Sequence, residues 1–357
     1  MELLFTDDQL AFQESVRGFL QKECEPERLR TLWETESGRS PELWAKLAEM
    51  GILGMTAPEE HGGLGMSELD LVLVLEEIGR AALAAPVAET VAVGVPLLAA
   101  LGSTALQAEW IPRVVAGDAA LSFGHADTPF VHDAHVADLL LLQAGRSTDS
   151  DVAVHAVPRA DVQLVHEPGN DPAGRLFRVE WQPRPDRQVA SGPEAAAALA
   201  LAFDRAALAA AAQLVGIAQQ LVDLAAHYAT QREQFGRPIG SFQAIKHMLA
   251  SVQVRVEFAR PVVYRAAWSV AQDTAERTVA VSHAKAAAAD AAIQAARTAL
   301  QVHGAIGYTW EVDLHIWMKR AWALDVAWGT RLWHRARIGR AVLDDSAAPS
   351  FGYSART

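Results

Sequence analysis

The chain has 357 residues, enough for roughly two to three domains and a sizeable buried core. Its 51% hydrophobic and 21% charged residues are a globular composition, and a net charge of −12 at pH 7 excludes a general nucleic-acid binder and a polybasic membrane anchor. A single cysteine, Cys24, excludes an intramolecular disulfide and a cysteine-based zinc cluster. It points to a reducing, cytoplasmic compartment and is expected to serve packing.

Residues 1–119 read as helical. The N-terminal stretch carries early acids and lacks the basic start and apolar core of a secretory signal. Thr6-Asp7-Asp8-Gln9 has the form of a capping box, and Leu10, Phe12, Val16 and Leu20 follow at helical spacing. Ser40 and Pro41 give a second helix start, ahead of Leu43, Trp44, Leu47 and Met50, with Gly51 and Gly54 ending it. The Gly-rich loop Pro58-Glu59-Glu60-His61-Gly62-Gly63-Leu64-Gly65 has no strand before it. It therefore reads as a tight connection into a helix starting near Ser67, not as a phosphate cradle. Ala81 to Leu101 is the longest apolar run, interrupted by Pro86, Glu89, Gly94 and Pro96. A membrane span needs about 20 predominantly apolar residues, so this run reads as buried helix and turn, and no membrane is expected.

Residues 120–193 lose the helical period. His135–Leu142, Asp151–Val157, Val162–Val165 and Leu176–Trp181 read as strands, with turn residues at Pro168–Pro172. A small antiparallel β domain is the expectation. Its densest histidine group, His132-Asp133-Ala134-His135, offers no further ligand by spacing. It reads as a solvated polar loop, and no metal site is expected.

Residues 194–357 are helical again. Glu194–Thr230 is Ala-rich, and Phe242–Gln272, Thr278–Val302 and a Trp-rich stretch Trp310–Leu343 follow. Four helices with short links suggest an antiparallel bundle, and the Ala-rich faces suggest an oligomer. Trp317, Trp322, Trp328 and Trp333 then serve packing. The first two helices meet in Tyr228–Ala250, YATQREQFGRPIGSFQAIKHMLA, where Gly236, Pro238 and Gly240 signal a turn and Ser241 offers an N-cap. The turn carries Arg232, Phe235, Arg237 and Gln243, and the planar donor fork of Arg suits phosphate.

That block, with Val256–Trp268 (VEFARPVVYRAAW) and Gln301–Tyr308 (QVHGAIGY), resembles the acyl-CoA dehydrogenase family of flavoproteins. The P-E-x-x-G-G-x-G loop is a further family mark. The resemblance implies a mainly α fold with a small β domain: an N-terminal helical domain over 1–119, a shortened middle β domain over 120–193 and a C-terminal four-helix bundle over 194–357. It implies FAD-dependent α,β-dehydrogenation of an acyl-CoA thioester. A carboxylate base takes the α-proton, the β-hydrogen leaves as hydride, and hydrogen bonds steady the enolate. The R-x-x-F-G turn is implied to lie against the pyrophosphate of a flavin held mainly by a neighbouring subunit. Arg232, Gln234, Phe235, Phe242, Gln243, Gln301, Gly304 and Thr330 match positions that touch FAD.

The departures have a pattern. Of the two usual base positions, one is Trp328, in Ala327-Trp328-Gly329-Thr330, and the other is Ala206, counted back from Gly216-Ile217-Ala218-Gln219. Asp204 is the nearest acid, but two residues turn a helix by about 200°. It reads as an N-terminal acid favoured by the helix dipole, and as a base only if the helix begins differently. The flavin-wall motifs T-E-P-x-x-G-S-D and W-I-(T/S) are missing from the β region. Ala305 replaces a Gly, Lys319-Arg320 an Arg-Asp pair, and Leu332 a Gln. Groups acting on a subunit's own flavin are gone, while those reaching a neighbour's remain. The resemblance therefore implies the second type of chain in an α2β2 assembly, completing the FAD site of a catalytic acyl-CoA dehydrogenase partner for a bulky, steroid-derived acyl-CoA. A self-sufficient homomeric enzyme with a displaced base and a flavin-free scaffold are the alternatives.

Overall fold

The computed structural model describes residues 4–343, apart from 147, 148 and 150; the end of the expected bundle, 344–357, lies outside the described residues. Helix α1 (Asp7–Glu23) opens on the expected capping box. The Gln9 amide donates to the Thr6 hydroxyl at 3.2 Å and the Thr6 amide to the Gln9 side chain at 2.9 Å. Helix α2 (Pro26–Trp33) follows. Helix α3 (Pro41–Glu49) starts on the Ser40 cap with proline in its first turn. The Gly-rich loop folds back on itself so tightly that a Cβ at Gly63 would fall 2.1 Å from the Ala57 carbonyl oxygen. It leads into α4 (Glu68–Arg80), capped by Ser67. The interrupted apolar run forms a buried π-helical stretch, Ala88–Gly94, running into α5 (Val95–Leu101), and α6 (Thr104–Val115) closes this region.

Seven strands follow: β1 (Leu121–Gly124), β2 (Val131–His132), β3 (Leu139–Ala144), β4 (Ala153–Pro158), β5 (Gln163–Glu167), β6 (Leu176–Glu180) and β7 (Gln188–Ser191). They form a sheet in the order β1-β3-β4-β7 and a second in the order β2-β6-β5. The expectation of a purely antiparallel domain is corrected, because β1 and β3 pair in parallel from Leu121↔Leu139. Between them the chain crosses to the second sheet through β2, and so returns in its original direction. The His132–His135 group is also no solvated loop. Asp133 is buried in a left-handed conformation (φ 55°) and ion-paired with Arg39, and the His135 Nε2–H donates to the Ser37 carbonyl at 2.6 Å. The strand expected from His135 therefore begins at Leu139.

Helix α7 (Gly192–Gln231) is the axis of the C-terminal region, packed by α4, α8 (Gln243–Ala271), α9 (Arg277–His303) and α10 (Leu314–Val326). By length and composition it is the one helix among the described residues that could cross a membrane, but most of its apolar window is buried inside the protein. Small residues set the α4–α7 spacing: a Cβ at Gly216 would sit 1.8 Å from the Glu76 carbonyl oxygen. Two expectations change here. The helix expected over Trp310–Leu343 is two helices, α10 and α11 (Arg331–Leu343), because Trp328 (φ 56°) and Gly329 (φ 97°) both take left-handed conformations. Ser241 does not cap α8. Its hydroxyl donates to the Pro238 carbonyl at 2.7 Å within a short 3₁₀ turn, and Phe242 stands at the cap position.

Candidate functional site

Trp328 and Ala206, far apart in sequence, line one pocket together with Glu89, His132 and Gln213. The pocket is closed. The Trp328 ring, 8% exposed, stacks on Phe123 at 5.7 Å and on His132 at 6.3 Å, with Phe203 edge-on at 6.1 Å. About 20 Å³ remains free, room for about one water. The left-handed turn carrying Trp328 is pinned from below. The fully buried Lys285 ammonium donates to the Asp325 and Gly329 carbonyls at 3.0 and 3.2 Å, so it also caps the C-terminus of α10. His334 Nε2–H donates to the Trp328 carbonyl at 2.9 Å, while its Nδ1 accepts from the Ser282 hydroxyl at 3.1 Å. Burial lowers the Lys285 pKa to about 8; burial first, then the Lys285 charge, lowers that of His334 to about 4. His334 is thus a neutral imidazole at pH 7.

Asp204 is removed as a candidate base. It is fully buried, and its oxygens accept from Arg277 Nε at 3.0 Å, Thr278 Oγ1 at 3.1 Å and Arg337 Nη1 at 2.9 Å. It is not at a helix N-terminus either, since α7 starts at Gly192, about three turns earlier. Its role is to join α7, α9 and α11. It lines neither the closed pocket nor the cleft beyond it.

Beyond the Trp328 ring, between the β region and α10–α11, lies an open cleft of about 750 Å³. Phe130, Phe203, Trp322 and Trp333 line it, together with Asp127 and Thr330. No Lys or Arg does so among the described residues. Thr330 Oγ1 accepts from the Trp333 amide at 3.2 Å and caps the start of α11.

The turn between α7 and α8 has the opposite character. Short strands β8 (Glu233–Gln234) and β9 (Arg237–Pro238) flank Phe235 (φ 56°) and Gly236 (φ 74°). Two successive left-handed residues are what a tight hairpin requires. They leave the Phe235 ring 92% exposed. The Arg237 guanidinium lies over the Phe242 ring at 4.2 Å. The Arg232 guanidinium is exposed and has no partner among the described residues, and the first turn of α8 has no side-chain cap. Gln234 and Gln243 are exposed beside them. Tyr228 stacks on His303 at 4.3 Å, which brings Gln301 and Gly304, at the end of α9, to the same place. A free guanidinium beside an uncapped helix N-terminus suits a diphosphate. Thr330 does not join this group. The Lys285–Gly329 bond places it near the start of α9, and the helix from Lys285 to Gln301 rises about 24 Å.

Sequence reasoning did not single out Glu89, Lys285 or His334 as site residues. Glu89 stood out only as an interruption of an apolar run, and Lys285 and His334 carried no local signal. No group of three or more His, Cys, Asp or Glu side chains is placed to hold a metal ion among the described residues.

Two family models match the chain: the acyl-CoA dehydrogenase N-terminal domain over residues 6–118 and the acyl-CoA dehydrogenase C-terminal domain over residues 195–343. The protein belongs to the acyl-CoA dehydrogenase family. Acyl-CoA dehydrogenase IpdE2 of Mycolicibacterium smegmatis is 32% identical over 317 residues, covering 88% of this chain and 93% of the relative. Acyl-CoA dehydrogenase FadE27 of Mycobacterium tuberculosis is 32% identical over 356 residues, with 91% and 94% coverage. Among solved structures, the ChsE4-ChsE5 complex from Mycobacterium tuberculosis matches with a TM-score of 0.88 at 30% identity, over 97% of this chain and 100% of that one.

Proposed function

We propose that this chain is the partner-type subunit of a heteromeric FAD-dependent acyl-CoA dehydrogenase, acting in the cytoplasm on a bulky, steroid-derived acyl-CoA. One contrast carries the reading: the unpartnered Arg232 on an exposed turn, against a pocket in which Trp328 and Ala206 replace both usual bases. Arg232, Gln234, Phe235, Phe242, Gln243, Gln301 and Gly304 would hold the diphosphate side of FAD whose ring and base belong to the partner chain. Bound there, the flavin supplies the hydride acceptor. Thr330, at the other end of α9, belongs to this chain's own cleft. Similarity to the ChsE4-ChsE5 complex, a structure of two named chains, supports a heteromeric, α2β2-type assembly.

Co-expression with a candidate catalytic chain tests the proposal. The expected result is a co-purifying complex that retains FAD and oxidises acyl-CoA, while this chain alone does neither. Stoichiometric FAD and turnover in this chain alone would overturn it.

A further inference from the structure

With Asp204 locked by two arginines, one carboxylate among the described residues lines the pocket shared by Trp328 and Ala206: Glu89. It sits in the π-helical stretch Ala88–Gly94, an irregularity that is frequent at functional sites. No hydrogen bond from another side chain reaches its carboxyl among the described residues. Glu89, His132 and Gln213 also face an adjoining void of about 50 Å³.

The charges around Glu89 are already matched in pairs. Arg39 pairs with Asp133 and Arg320 with Asp171, leaving Glu89 without a cation of its own among the described residues. Burial first, then the Asp133 charge, pushes the Glu89 carboxyl up to about 7. A general base works best with its pKa near the working pH.

The Trp328 ring is the wall between this pocket and the 750 Å³ cleft. Its backbone is pinned through carbonyls by Lys285 and His334, whereas its ring is held by stacking alone. Side-chain rotation can therefore join the two spaces without breaking the turn.

We propose that Glu89 is a displaced general base: with the Trp328 ring swung into the cleft, its carboxylate takes the α-proton of an acyl-CoA thioester. The α-carbon–hydrogen bond breaks, its electron pair stays on the thioester as the enolate, and the proton rests on a Glu89 oxygen. This step needs no electron acceptor. The assignment goes beyond the partner-subunit reading, which requires no base on this chain.

The test is α-proton exchange of octanoyl-CoA in D2O, followed by proton NMR with the full-length chain. Wild type is expected to exchange slowly and Trp328→Ala at least tenfold faster. Glu89→Gln in either background should lose about 10²-fold or more. Equal exchange with and without Glu89→Gln, or no exchange in both wild type and Trp328→Ala, overturns the assignment. A folding defect in Trp328→Ala leaves the wild-type and Glu89→Gln pair decisive.

A second readout does not depend on catalysis. Because folding raises the Glu89 pKa, the folded state binds the extra proton. The contribution of Glu89 to stability should therefore be lost as pH rises from about 4.5 through about 7. Glu89→Gln should flatten that slope, and an unchanged slope counts against a carboxyl that titrates in this pocket. FAD retention in the assembly tests the partner reading separately, since Glu89 is no part of the turn.

Discussion

The two ends of α9 carry opposite designs. Near its start, Lys285 anchors a left-handed turn whose tryptophan closes the pocket it shares with Ala206. At its far end, Gln301 and Gly304 lie beside a hairpin that leaves an aromatic ring and a guanidinium open to solvent. A buried, stacked region with a bonded backbone is costly to alter and serves this chain's own stability. An exposed turn with unpartnered groups contributes little to stability, so its residues are free to serve another molecule. On the proposed reading, one end of the helix serves this chain's own packing and the other end serves a partner's flavin.

The largest expected effect lies at the closed end. Asp204→Ala strips the carboxylate from Arg277 and Arg337, whose side chains are only 17% and 19% exposed. Breaking such a pair costs about 3–5 kcal/mol, read as a shift in the urea midpoint. If Asp204 were instead a base, the variant would lose activity without losing stability. Trp328→Ala comes next, at about 3 kcal/mol, the low end for removing a buried aromatic, because one face already borders the cleft. A loss below about 1 kcal/mol would mean that the ring does not close the pocket.

The exposed end should behave in the reverse way. Arg232→Ala should leave the stability of this chain within about 0.5 kcal/mol of wild type. In the assembly it should weaken FAD retention by about 10- to 100-fold, the worth of a charge-assisted hydrogen bond. Unchanged FAD content, measured by absorbance after denaturation, would break the comparison. The smallest effect concerns Cys24, which is buried with its thiol pushed up to about 12. Thiol reagents should modify it only after denaturation, and reaction in the native state would show that α1 opens.

Much of the frame was legible in residues 1–343. The Thr6, Ser40 and Ser67 caps, the breakers in Ala81–Leu101 and the order helices, strands, helices are local signals, and the structure keeps them. The turn residues were also legible, because Arg232, Phe235 and Gly236 form a contiguous motif. What misled was non-local. Asp204 had the spacing of an acid near a helix start, yet two arginines far away in sequence decide its role. Asp133 and His135 looked like a polar loop, yet Arg39 and Ser37 bury them.

By itself the sequence determined what a few neighbouring residues can settle: the N-terminal helix starts, the turn chemistry, the absence of a carboxylate at two positions, and hence the family and its departures. Only the tertiary structure decided what fills those positions, where α10 ends, and which carboxylate faces the pocket. Caps and periodicity act over one or two turns of chain. The closing of a pocket depends instead on which side chains, distant in sequence, meet across it.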